Sequence, residues 1–333
     1  MKQLLGNKKA WIGLLILFAL AFPMLVGNSG YFMTLFVLAC VYVIAAMALN
    51  LLVGFGGQIS VGNAAFLVIG GYTVAILAGK YNLPIWLLLP LAGVVTGVIG
   101  LVIGLPAVRL SGHFLAVATL GFGLSVPQIV LNWDSVTNGY SGLSVARPAF
   151  LSSDIQFFYV VVLITLLIVW IMGNIVKSGM GRAFVAIRDS EVAAQANGIH
   201  IAFYKTMMFV ISAFFTGIAG GLYAYWIGFV SPDDFSIVTS LMLLAMIVVG
   251  GMASIPGAII GAVLFTIIPH FTNAFVGITN IVIGLAVVLV LFFRPKGIVS
   301  LFDFAKKPQV EQEPSEPASA SGTVKGVARD VNL

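Results

Sequence analysis

The chain has 333 residues, 60% of them apolar and 8% charged, with a formal net charge of +5 and a mean hydropathy of +1.12. A soluble domain carries about 25% charged residues, so this composition excludes a cytosolic enzyme, a secreted disulfide scaffold and a disordered protein. Lipid must be the solvent for most of the chain.

On a ruler of about 20 apolar residues per crossing, spans are expected near 10–27, 31–53, 57–79, 84–107, 113–131, 155–176, 204–229, 236–250, 256–272 and 278–293. The first follows Lys2, Lys8 and Lys9, as a signal peptide would, but no small-residue cleavage site follows it, so a retained anchor is expected. Stretch 54–70 is punctuated by glycine and the last three spans are short, which points to broken or re-entrant elements. The expected fold class is therefore an all-α integral membrane protein of about 8–10 transmembrane helices.

Charge orients the bundle. With the N-terminus in the cytoplasm, every Lys and Arg except Lys80 and Arg147 falls on the cytoplasmic side, including Arg109, Lys177, Lys205, Arg294 and Lys296. Both termini are thus expected inside. This scatter of single basic residues between apolar spans fits positive-inside topology and gives no footing for nucleic acid. The one cysteine, Cys40, lies within an apolar run and reads as packing. Residues 1–305 form the expected transmembrane domain, and 306–333, rich in Pro, Glu, Ser and Ala, read as a disordered cytoplasmic tail.

No Asp, Glu, Lys or Arg falls in the middle of an expected span, which disfavours an ion-coupled pump. A GxxxxGK[ST] phosphate loop is absent, as are HExxH and GxSxG motifs. The chain is expected to be non-catalytic, with no metal or cofactor of its own. If the chain moves something uphill, the energy must enter from another chain.

The cytoplasmic loop 177–204 reads either as a solvated connector between spans or as a docking place for that chain. Asp189 or Ser190 offers an N-cap, Glu191 suits the positive end of a helix dipole, and Asn197-Gly198 offers a left-handed C-cap. Between them EVAAQA makes about two turns, too short to be stable alone in water.

This loop resembles the coupling segment of ABC-transporter permeases, whose E-A-A---G signature appears here as Glu191-x-Ala193-Ala194-x-x-x-Gly198. The fuller string GRAFVAIRDSEVAAQANGI is similar to the M-type permease of branched-chain amino acid importers. So are Asn50, Gly54, Gly57, Gln58, Ser60 and Gly62 in the N-L-x-x-G-x-x-G-Q-x-S-x-G segment. The resemblance extends to Gly112-HFLAVATLGFG, Thr137-NGYSGL-Ser144, Val248-VGGMASIPGAIIG-Ala262 and Leu291-FFRPKGI-Val299. The matches run in order from about residue 45 to 300. Asn63 stands where that family often has His, and the tail has no counterpart.

The resemblance implies alternating access driven by two separate ATP-binding subunits, which would hold the ATP and Mg. It also implies a homologous H-type permease as heterodimer partner and a periplasmic or extracellular substrate-binding protein. Gly181, Arg182, Arg188, Asp189, Glu191, Ala193, Ala194 and Gly198 are the expected ATPase-coupling residues. Gly57, Gln58, Ser60, Gly62 and Asn63, with Gly250, Gly251 and Ser254 of a second interrupted segment, are expected at the translocation pathway, because polar groups and broken backbone at membrane depth must be buried or line a watery cavity. Trp133, Asp134, Thr137, Asn138, Asp233 and Asp234 are expected to meet the binding protein. Neighbouring readings within the class are urea, short-amide and simple-sugar permeases. An ion-coupled transporter or channel working alone is the reading from another class.

Overall fold

The structure is a computed structural model that describes residues 30–81, 83–110, 112–148, 151, 153–272, 278–294 and 297–301. The expected first span, Lys2, Lys8, Lys9, Lys296 and the 306–333 tail lie outside the described residues. Among the described residues, eight helices are long and apolar enough to cross a membrane, and a ninth is shorter. In chain order they are α1 (Gly30–Asn50), which continues as a π turn over Leu51–Phe55, then α2 (Asn63–Tyr81), α3 (Ile85–Ala107) and α4 (His113–Asn132). A single turn, α5 (Asp134–Thr137), precedes α6 (Asp154–Lys177). The 177–204 loop folds as α7 (Gly179–Asp189) and α8 (Glu191–Ala196). The rest are α9 (Ile201–Ile227), α10 (Ile237–Gly250), α11 (Ile255–Thr272) and the short α12 (Ile278–Phe293).

The centre is α9, which packs against α1, α2 and α3. Small residues make this possible. A Cβ on Gly70 of α2 would overlap the backbone of Gly217, and one on Gly220 would overlap Leu67, so these helices meet backbone to backbone. In lipid such close approach, with its dispersion contacts, replaces the hydrophobic drive that water supplies elsewhere. Gly100 of α3 likewise seats on Ala213 of α9, 2.5 Å from where its Cβ would stand. Cys40 is half-buried and packs against the core.

The contacts sort into two ends, as alternate crossings require. At one end Tyr31 hydrogen-bonds His270, and a two-residue ladder, β1 (Leu143–Ser144) against β2 (Phe229–Val230), ties two loops antiparallel. At that end Arg147 donates to the carbonyls of Tyr225 (3.1 Å) and Trp226 (2.7 Å), pairs with Asp154, and lies over the rings of Phe157 and Trp226. This explains how one of the two non-cytoplasmic cations is held. At the other end the 50–57 turn meets Arg188 and Ser254.

Candidate functional site

The glycine-punctuated stretch is not a helix from residue 57 onward. Helix α1 widens into its π turn, and residues 57–62 then run outside any helix until α2 starts at Asn63. Gly57 has φ +67°, a conformation that glycine adopts without strain. Gln58 and Asn63 sit on one face of α9. Gln58 Nε2 lies 3.9 Å from Met208 Sδ, and Asn63 Nδ2 donates to Thr216 Oγ1 at 3.2 Å. From Met208 to Thr216 is eight residues, about 12 Å along a helix. Thr216 lies about 22 Å along α9 from its first residue, so the 57–62 segment runs from the second turn of α9 to its middle.

This segment is a hub. Val61 N donates to Thr119 Oγ1 of α4 at 3.1 Å, and Ala64 N, at the start of α2, donates to Ser240 Oγ of α10 at 2.8 Å. Gly62 lies so close to the Thr119 carbonyl that any side chain would collide with it. Gln58 (4% exposed), Ser60 (1%) and Asn63 (0%) are buried within the chain, while Gly57 and Ile59 reach the surface. Gln58 Oε1, Asn63 Oδ1 and Ser212 Oγ are buried with no hydrogen-bond partner among the described residues. Ser212 lies midway between Met208 and Thr216, so these polar atoms line one side of α9 (an i, i+4, i+8 spacing).

The second interrupted segment meets the first. Asn50 Oδ1 accepts from Ala253 N at 3.0 Å and Asn50 Nδ2 donates to Ser254 O at 3.0 Å. Ala253 holds φ +56°, which a side chain resists, and the Asn50 amide fixes it. Gly250 and Gly257 pack together where α10 turns into α11, and Gly251 (φ +128°) completes the turn.

In the cytoplasmic loop the capping residue is Ser190, whose Oγ accepts from Ala193 N at 3.2 Å. Gly198 has φ +79° and Ile199 N closes the helix onto Ala194 O at 3.1 Å. Glu191 is engaged within the chain: its Oε1 lies 2.6 Å from Lys205 Nζ, whose side chain is 6% exposed in the second turn of α9. Arg188 also turns inward, donating through Nη1 to Gly54 O at 3.1 Å while Nε and Nη2 hold Asp189 Oδ1. Gly181 and Ala194 are buried, Gly181 against the end of α6, whereas Arg182, Asp189, Ala193 and Gly198 face out.

On the opposite side Trp133, Asp134, Asn138 and Asp233 are exposed. Thr137 is buried, its Oγ1 reaching the carbonyls of Val130 (2.6 Å) and Trp133 (2.8 Å). Asp234 Oδ2 accepts from Ser231 N at 2.9 Å, in a capping box. These two brace their loops.

Two features escaped the sequence reading. Val192 is 81% exposed between Glu191 and Ala193, an apolar side chain at the tip of the loop. On α4, Ala118, Gly121, Ser125, Gln128 and Asn132 recur at helical spacing and are all exposed. The signal for α4 was present as small and polar residues every three to four positions. A groove of about 630 Å³ between α10, α11 and α12 offers no polar side chain, being lined by residues such as Leu241, Ala245, Pro269 and Ile283. Among the described residues no three His, Cys, Asp or Glu side chains gather as a metal site requires.

Comparison with known proteins bears on this arrangement. Residues 31–292 match the family described as the branched-chain amino acid transport system permease component. The chain is 31% identical over 323 residues to the high-affinity branched-chain amino acid transport system permease protein LivM of Salmonella typhimurium, covering 89% of this chain and 76% of that one. The LivM protein of Escherichia coli matches at the same identity and coverage. The LivH protein of Salmonella typhimurium is similar at 25% identity over 307 residues, covering 83% of this chain and 94% of that one. No solved structure matches the chain.

Proposed function

Because this chain belongs to the family of branched-chain amino acid transport system permease components, we propose that it forms one half of the passage through which an ABC importer moves leucine, isoleucine and valine. It is a non-catalytic, multi-pass subunit of the inner membrane, of the M type. The observation that carries the reading is the family match over residues 31–292, with LivM relatives 31% identical across most of the chain.

The remaining parts follow from that family reading. The other half of the passage is a homologous H-type permease. Two ATPase subunits, holding ATP and Mg, dock on the 177–204 loop, and the exposed Val192, Ala193 and Arg182 supply an apolar contact with a charged flank. A substrate-binding protein meets Trp133, Asp134, Asn138 and Asp233 from the other side. Polar side chains avoid lipid, so the face of α4 bearing Gly121, Ser125 and Gln128 is assigned to the passage wall, against the partner permease. The 57–63 segment packs behind α4, and the 250–254 turn, joined to it through Asn50, completes its cytoplasmic end.

The test is uptake of labelled leucine by cells with and without the gene, with urea and ribose as parallel labels. Leucine uptake should fall on deletion and follow ATP when ATP and the proton gradient are depleted separately. A fall confined to urea or ribose would replace the substrate, and uptake that follows the proton gradient would overturn the ATP-driven reading.

A further inference from the structure

The cytoplasmic loop touches the transmembrane body at two polar points, and both converge on one stretch of backbone. Arg188, next to the last residue of α7, donates to Gly54 O at 3.1 Å. That carbonyl lies in the π turn at the end of α1, where helix carbonyls lose their regular partners. Its guanidinium is held in place by Asp189, through Nε at 3.0 Å and Nη2 at 2.9 Å. The aliphatic stem of Arg188 covers Gly57, whose position for a Cβ lies 2.7 Å from Arg188 Cγ. The second point is the Glu191–Lys205 pair, which fixes α8 to the start of α9. One turn further along α9, Met208 lies against Gly56 and Gln58.

What Arg188 grips is the root of the 57–62 segment. That segment lies outside any helix, bends at Val61, and covers about 12 Å alongside α9 in five residues. Its far end is bonded to Thr119 of α4, Thr216 of α9 and Ser240 of α10. Its root is joined through Asn50 to the 250–254 turn. A helix would spread a push at the surface along its own ladder of bonds. A short non-helical segment bonded at both ends has no such ladder to spread the push along, so its root and its far end move together.

We infer that Arg188 is a positioning residue that carries displacement of the cytoplasmic loop to the middle of the membrane through the 57–62 segment. It acts inside this chain and does not itself contact the ATPase. The inference rests on the reading that the 177–204 loop docks on an ATP-binding subunit. Arginine suits the task because its planar fork serves two acceptors at once, which a lysine ammonium does with far less fixed geometry.

The experiment uses the whole complex in proteoliposomes, with its binding protein and labelled leucine, and reads uptake per ATP hydrolysed. In Arg188→Ala the ATPase should co-purify at the stoichiometry seen without the substitution, while leucine moved per ATP falls about tenfold or more. Arg188→Lys should recover part of the ratio. Asp189→Asn, at an exposed carboxylate, frees the guanidinium without removing it and should give an intermediate fall. It keeps the test alive if Arg188→Ala fails to fold. Spin labels at Gln195 and Ile59, both exposed, add a readout that a merely structural clamp would not move. With Arg188 present, their separation should stay constant between nucleotide-free and ATP-trapped complexes, and in Arg188→Ala it should change between them. A coupling ratio unaltered in Arg188→Ala overturns the inference. So does loss of ATPase co-purification in that variant, since Arg188 would then belong to the docking surface. Failure of the unsubstituted chain to co-purify an ATPase would instead remove the docking reading beneath it.

Discussion

Replacing Glu191 by Gln removes the charge that faces a buried lysine. Lys205 has a side chain 6% exposed and Glu191 one 49% exposed, at 2.6 Å. Stripping one partner from a fully buried pair costs about 3–5 kcal/mol because the other charge is left stranded, whereas fully exposed pairs contribute about 0–1 kcal/mol. This pair is buried on the lysine side and open to water on the carboxylate side, so Glu191→Gln should cost about 1–2 kcal/mol, on the order of five- to thirtyfold in the folded-to-unfolded ratio. Lys205→Met should be close to neutral, since Glu191 then returns to water and a thioether fills the space. The double variant should match Lys205→Met alone. Thermal melts of the detergent-solubilised chain, followed by size-exclusion profiles, complete this double-mutant cycle. Losses that simply add, or an undiminished melt for Glu191→Gln, would refute the argument that the signature glutamate serves this chain's own α9.

Val192→Asp should leave the chain folded and weaken ATPase co-purification about tenfold or more, because an apolar side chain 81% exposed in the free chain contributes about 1.5 kcal/mol or more when covered; retained co-purification would clear this residue from the interface. Gly70→Ala should destabilise the bundle by about 1–3 kcal/mol by pushing a methyl into the Gly217 carbonyl, while Gly79→Ala, with open space around it, should melt as the parent does. Gln128→Leu should preserve the melting temperature and reduce leucine uptake severalfold if the α4 face lines the passage, and undiminished uptake would move the passage elsewhere.

Local signals were legible in the sequence and distant partners were not. Ser190 and Gly198 declare the ends of α8 because capping chemistry acts within three or four residues, and the apolar runs locate the crossings because a bilayer sets their length. Gln58 and Asn63 stand out as polar residues in an apolar stretch. That they lie against Met208 and Thr216 depends on α9, about 150 residues later, and no spacing rule reaches that far. Glu191 reads as a surface carboxylate until the fold brings Lys205 beside it. Thr137 and Trp133 look alike as loop residues, yet one turns inward to brace carbonyls and the other stays exposed. Val192 misleads in the opposite sense: in a chain this apolar, nothing in its letter separates a core valine from one left bare at the tip of a loop.

The glycine contacts between α2 and α9 also bear on how the protein is made. The surfaces that meet at Gly70 and Gly217 are separated by about 150 residues of synthesis, roughly 7–30 s at ribosomal rates of about 5–20 residues per second. During that interval α2 waits beside the translocation machinery with Asn63 lacking the Thr216 hydroxyl that it will bond. The polar cluster that joins the finished helices thus also marks unfinished chains. A nascent chain stopped before α9 would show an unsatisfied amide at membrane depth, the kind of defect by which a membrane chaperone or protease tells an incomplete bundle from a complete one.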